Sequence, residues 1–144
     1  MRHAIVMLLA LLLAEWAPPA RADVYVVVNA NNPVPAMTRK DALNLFMGRI
    51  NAFTEVDLAM PLDLPRDDAV RDHFYLLLTG MRPAQVNSYW SRLMFTGRTL
   101  PPKVVASEAA LVEAVRRNPG AIGYLSQEPS DRGVRVVLVL KDAP

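Results

Sequence analysis

The sequence predicts an α/β fold, a mostly parallel sheet flanked by helices on both faces, in one domain. Three observations carry this. Apolar stretches with strand character alternate with stretches of helical periodicity in the order β-α-β-α-α-β-α-β-β, and such alternation marks an α/β sandwich with a largely parallel sheet. The first strand candidate, Val24-Tyr25-Val26-Val27-Val28, is β-branched and apolar on both faces, as a strand covered from both sides must be. Glycines close three of the helical stretches, at Gly48, Gly80 and Gly97.

Each element has a local reason. Asn29 to Pro35 (NANNPVP) is dense in turn formers and ends the first strand. Thr38 is an N-cap candidate with Asp41 three residues on, a capping box with Asp in place of the usual Glu or Gln. The helix it opens carries Ala42, Leu43, Leu45 and Phe46 and stops at Gly48. Leu58 to Leu62 (LAMPL) is a short strand, and Pro61 makes it an edge or a strand end. The charged turn Asp63 to Asp68 precedes a helix with Val70, Phe74, Leu77 and Leu78 on one side, and Asp67 or Asp68 is its expected cap. Pro83 suits the first turn of another helix, whose stripe is Val86, Tyr89, Trp90, Leu93 and Met94. Val104-Val105 is a short strand. Ser107 starts a helix with Leu111, Val112 and Val115, broken by Asn118-Pro119-Gly120. Two strands close the domain: Ala121 to Leu125, with a glycine inside that suggests close backbone approach, and Val134 to Leu140.

The first 22 residues read differently. After Met1-Arg2-His3 comes an unbroken apolar run of 11 residues, Ala4 to Ala14. A helix needs about 20 apolar residues to cross a bilayer, so the run fits the core of a secretory signal peptide, and Ala20-Arg21-Ala22 supplies a small-x-small cleavage site. The expectation is a signal peptide over 1–22, a mature domain over 23–144, and a periplasmic location with no membrane span after processing. Processing takes away two arginines and one glutamate and lowers the formal net charge from +2 to +1. Such a chain has no electrostatic footprint for nucleic acid. With no cysteine in the sequence, disulfides, thiol catalysis and cysteine metal sites are excluded.

No catalytic constellation stands out, and no cofactor or metal is expected. His73 is the sole histidine after the leader and lies mid-helix. Asp57, Asp63, Asp67, Asp68 and Asp72 form a run of carboxylates whose spacing does not match a calcium loop; a hydrolase would have to use two of them, and nothing singles out a pair. The serines lack a nucleophile-elbow setting and no glycine-rich phosphate loop is present. The more suggestive region is the start of the helix near residues 66–71. A helix N-terminus offers free N–H groups and partial positive charge, and Arg66 and Arg71 add planar donors for a phosphate or carboxylate. Two readings stay open on the residues alone: an anion site made by Arg66, Asp67, Asp68 and Arg71, or two surface arginines paired with Asp67, Asp68 and Asp72.

Several segments in order resemble the substrate-binding component of bacterial phosphate ABC importers: VVVNANNPV (26–34), MTRKDALNLFMGR (37–49), PLDLPRDDAVRDHFY (61–75), YWSRLMFTGR (89–98) and LVEAVRRNPGAIGYLS (111–126). The resemblance covers most of residues 24–126, and its F-x-G and N-P-G-A-I-G-Y pieces are the most specific. It implies a periplasmic-binding-protein-like lobe, non-catalytic, associated with transport of phosphate or another small anion and partnered by an ABC transporter or another periplasmic protein. The family protein is a clamshell of two lobes, and this chain has length for one, corresponding to the second. The first-lobe T-G-S turn has no counterpart. In place of the second-lobe motif R-S-D-G-S-G-T stands the stretch Asp63 to Arg71, in which Arg66 and one following aspartate match. A hydrogen bond to a charged group contributes about 1.5–3 kcal/mol, so losing three or four donors removes roughly 5–10 kcal/mol, the size of a micromolar binding energy. The alternative is therefore an interaction or signalling module that kept the lobe and lost phosphate, with Phe53 or Met60 marking a partner surface. A lone lobe leaves its cleft face open, and a homodimer would cover it.

Overall fold

The computed structural model describes residues 22–55, 57–97 and 99–142. The expected leader lies outside the described residues except for Ala22. The elements follow the expected order: β1 (Val24–Asn29), α1 (Arg39–Phe46), β2 (Met60–Asp63), α2 (Ala69–Thr79), α3 (Pro83–Thr96), β3 (Lys103–Val104), α4 (Glu108–Arg117), β4 (Ala121–Leu125) and β5 (Val134–Leu140).

The strands form one sheet in the order β3-β2-β4-β1-β5. β2 is parallel to both β3 and β4, whereas β1 is antiparallel to both β4 and β5. Four strands thus run one way, as a mostly parallel sheet requires, and β1 alone is reversed. β1 is buried along nearly its whole length, which explains its apolar, β-branched composition.

Neighbouring residues of β4 show the two covered faces. Tyr124 points to one side and stacks on Phe74 of α2, with ring centroids 3.8 Å apart. Phe46 of α1 meets Phe74 edge-on at 4.8 Å. Gly123 points to the other side, where a Cβ would lie 2.6 Å from Leu111 of α4. The glycine inside this strand therefore lets α4 sit directly on the sheet. The C-terminal end of α4 is held by Asn29, whose side-chain amide donates to the carbonyls of Val115 at 2.9 Å and Arg116 at 3.0 Å. The end of β1 thereby satisfies carbonyls that a helix leaves unpaired.

Local signals set the helix ends. Thr38 caps α1 in a capping box with Asp41, and Gly48 beyond it has φ +70°. Asp68 caps α2, and Gly80 ends it in the left-handed conformation. Pro83 opens α3 and Gly97 closes it. The inward face of α2 differs from the expected one. It reads Arg71, Phe74, Tyr75, Leu78, because Arg71 finds a buried carboxylate partner and turns inward while Leu76 is exposed. Along α3, Val86 and Trp90 are buried, whereas Met94 and Phe95 are exposed. No helix among the described residues is long and apolar enough to cross a membrane.

A buried carboxylate–arginine hub beside an open cavity

β2 ends at Asp63, which is 4 % exposed. Its Oδ1 accepts from the Leu64 N–H at 2.9 Å and the Tyr124 hydroxyl at 2.5 Å. Its Oδ2 accepts from Arg71 Nε at 3.1 Å and the Tyr75 hydroxyl at 3.0 Å. Four donors fill the acceptor capacity of one carboxylate. Asp63 is therefore neither a free base nor an open metal ligand; it is the fixed point to which a strand end, a helix and two tyrosines are tied. Burial pushes the Tyr75 hydroxyl pKa well above its ordinary value, and the neighbouring Asp63 charge adds to the rise. Tyr124 is raised for the same two reasons. Both phenols stay protonated and act as donors to the carboxylate.

Arg71 answers that charge. It lies in the first turn of α2, is 5 % exposed, and packs its guanidinium over the Tyr75 ring at 5.0 Å. Nε is taken by Asp63 and Nη2 faces Asn87 Oδ1 at 3.5 Å. Nη1 is buried and has no partner among the described protein groups. The indole Nε1 of Trp90 on α3 is in the same condition. Leaving a buried donor unsatisfied costs about 1–3 kcal/mol, more when it is charged.

Both side chains line one cavity of about 120 Å³ between α2, α3 and the edge strand β3. Asn87 shares its wall with them, Arg66 lines it from the β2–α2 turn, and Met94, Pro101, Pro102 and Val104 make the rest of the wall largely apolar. The cavity opens near the carboxyl end of β2, and crevices outside the carboxyl ends of parallel strands are where open α/β sheets hold ligands. At this volume it is smaller than a drug-sized pocket, which is roughly 300–1,000 Å³.

The four residues singled out from sequence thus separate. Arg66 is exposed and Arg71 buried, and both line the cavity. Asp67 is exposed and lines no part of it. Asp68 Oδ1 accepts from the Val70 N–H at 2.9 Å, so the start of α2 already holds a carboxylate of its own. Arg71 pairs with Asp63, not with Asp67, Asp68 or Asp72 as a surface arginine would. Among the other carboxylates, Asp57 closes a turn with Thr54 at 2.7 Å. No group of three or more metal-ligating side chains is assembled among the described residues. His73 Nε2 lies 2.6 Å from the Ala22 carbonyl and 3.9 Å from Asp142, a contact that ties down the start of the described chain. Sequence reasoning missed Asn87 and Trp90. Trp90 sits in a stripe that reads as ordinary core, and its polar edge alone distinguishes it from a phenylalanine there.

A sheet of this strand order with helices on both faces is the fold of a single periplasmic-binding-protein-like lobe. Solved structures share that fold. A protein of Clostridium perfringens assigned as a phosphate ABC transporter substrate-binding protein, solved with phosphate bound, superposes with a TM-score of 0.65 at 20% identity over 82% of this chain and 45% of its own. An ABC-type phosphate transport receptor from Vibrio cholerae gives 0.64 at 22% identity, over 82% and 46%. PstS from Borrelia burgdorferi gives 0.61 at 12% identity, over 81% and 47%. The chain spans about half the length of these proteins, and at such identities the likeness is one of fold. No protein-family model and no curated protein sequence matches the chain.

Proposed function

We propose that this protein is a non-catalytic, anion-binding lobe, exported to the periplasm and working with an ABC importer. One observation supports this reading above the others: Arg71, a buried cation whose Nη1 has no protein partner, lines an open cavity together with Arg66. A protein bears the cost of an unsatisfied buried cation most readily where a ligand's negative charge relieves it. The names of the structural neighbours, which carry phosphate transport, point to the same ligand chemistry. Asp63, the carboxylate paired with this cation, is saturated by its four donors and is not itself a free base.

The test is isothermal titration calorimetry of the purified protein against a panel of small anions, with phosphate first, at fixed ionic strength. Saturable heat that weakens at least tenfold in Arg66→Ala, the loss of one charge-assisted hydrogen bond, is expected. No heat up to millimolar concentration for any anion would sink the reading. Sedimentation with and without the bound anion then shows whether a second copy closes over the cleft face.

A second reading has its own observation. Phe95 is 97 % exposed and Leu100 85 %, with Met94 and Val104 exposed beside the same cavity. Phe53 and Met60, by contrast, pack against the core. If the lobe serves as an interaction module, its partner docks on the stretch from Met94 to Val104. Phe95→Ser would then abolish partner capture while leaving stability unchanged; equal capture by the variant would eliminate this surface.

A further inference from the structure

Resting on the second reading above, in which the stretch from Met94 to Val104 is a docking surface, we propose that its partner is an anionic membrane surface. The tip consists of the last turn of α3, the loop after Gly97 and the edge strand β3. Phe95 is 97 % exposed and Leu100 85 %, so neither side chain rests on the protein. Met94 and Val104, both exposed, stand beside them on the rim of the cavity between α2, α3 and β3. The inner side of the loop is packed: a Cβ on Gly48 would lie 3.0 Å from Thr99 and from Trp90. Thr99 therefore rests against the end of α1 while its neighbour Leu100 stands in solvent. Exposed apolar clusters of this kind mark interaction sites.

Charge identifies the partner. From His73 to Ser107 the sequence holds no aspartate or glutamate, yet it holds Arg82, Arg92, Arg98 and Lys103. The chain as a whole is nearly neutral, so the positive charge is concentrated here. Arg92 and Lys103 are exposed, and neither is ion-paired among the described residues. Arg92 precedes Phe95 by three residues on α3, a spacing that sets two side chains side by side on a helix surface. Lys103 adjoins Val104 in β3. Cations interleaved with exposed aromatic and aliphatic side chains suit a lipid interface, where the apolar groups enter the headgroup region. The long stems of Arg and Lys lie along that apolar surface while their heads reach lipid phosphates.

Other occupants fit less well. A second copy docked on the same face would bring Arg92 and Lys103 against their own counterparts, with no carboxylate in the stretch to offset them. A protein partner's interface core is depleted in charged residues, whereas here cations alternate with the apolar groups along the whole stretch.

The test is co-sedimentation of the whole purified protein with vesicles. One set contains phosphatidylglycerol and phosphatidylcholine in equal parts, the other phosphatidylcholine alone. Binding to the anionic vesicles only is expected, weakening as salt is raised. Phe95→Ser is expected to weaken it at least tenfold, for the loss of one inserted phenyl group. Lys103→Gln and Arg92→Gln are expected to weaken it about fivefold each. Both kinds of substitution fall on exposed side chains, so the melting temperature should not move. Any other lipid-binding part of the chain is common to parent and variants and cancels in the comparison. In Phe95→Trp, the indole emission should shift to the blue with anionic vesicles and stay in place with neutral ones.

Equal binding to both vesicle types overturns the role of charge. Anionic binding that Phe95→Ser leaves unchanged overturns the tip as the site. A dimer of the parent that Phe95→Ser dissociates assigns the surface to a second copy and overturns the lipid assignment. Binding to neither vesicle overturns it too; the second reading then stands if Phe95→Ser abolishes capture of a protein partner, and falls with it if capture is unchanged.

Discussion

Replacing Asp63 by Asn keeps the shape of the side chain and removes its charge. The consequence can be worked donor by donor. The amide oxygen still accepts from Leu64 N–H and the Tyr124 hydroxyl. The amide nitrogen, placed where Oδ2 stood, confronts Arg71 Nε and the Tyr75 hydroxyl, which are themselves donors. Arg71 is left as a buried cation without a counter-charge. Removing one partner of a buried pair costs about 3–5 kcal/mol, a fifth or more of the roughly 5–15 kcal/mol that holds a domain together. At about 3–5 °C per kcal/mol for a domain of this size, the melting temperature falls by about 10–20 °C. Urea denaturation followed by far-ultraviolet circular dichroism measures the loss, and an unchanged m-value confirms that the same surface is exposed on unfolding. The decisive companion is the double variant Asp63→Leu with Arg71→Met. Trading a buried ion pair for apolar residues of similar volume is often neutral or stabilising, so the double variant should lie within about 1–2 kcal/mol of the parent. If Asp63→Asn costs less than about 1 kcal/mol, or if the double variant is as unstable as the single one, charge compensation at Arg71 is not what makes this hub matter.

Three further outcomes are expected. The hydroxyls of Tyr75 and Tyr124 titrate above their ordinary value of 10.0 in the folded protein, so above pH 10 the unfolded chain releases protons that the folded one retains. Stability is therefore full below that pH and declines as pH rises beyond it, by about 1.4 kcal/mol per pH unit for each tyrosine. Denaturation midpoints across this range should flatten in Tyr75→Phe, and an unchanged slope would contradict the assignment. Gly123→Ala places a Cβ 2.6 Å from Leu111 and should cost about 1–3 kcal/mol by overpacking. In a Leu111→Ala background the same change should be nearly free, and strict additivity of the two substitutions would refute the contact. Thr38→Ala removes the capping box of α1 and should cost about 1 kcal/mol, read as a shift in urea midpoint.

The elements were legible because their signals are local. Thr38 with Asp41 announces a helix start, Gly48 its stop, and the valines of β1 a strand covered on both faces; each is decided by the residue's own backbone and nearest neighbours. The direction of β1 was not legible. Its reversal depends on which strands flank it, and those come from the far end of the chain. Arg71 was hidden for a related reason. Within Arg-Asp-Asp-Ala-Val-Arg-Asp it reads as one more surface charge, and only the geometry at the end of β2 carries it to Asp63 and into the interior. Arg66 and Arg71 were recognised as a pair from sequence. That they line a cavity with Trp90 and Asn87, while Asp68 caps the first turn of α2, depends on how α3 packs beside that turn.

The reversed strand also sets an order of events. β1 is the first strand in the chain, yet both of its neighbours, β4 and β5, are the last two. Val24 pairs with Leu140, and the Asp142 N–H donates to Asp23. The centre of the sheet therefore cannot close until nearly the whole chain is available, and its loops are among the most entropically costly to close. As the chain emerges during synthesis, α1 to α3 can coil locally, but the valines of β1 wait unpaired. A truncation before Val134 should leave a collapsed, helix-containing species with no cooperative transition, and refolding of the intact protein should be limited by this late docking of its two ends.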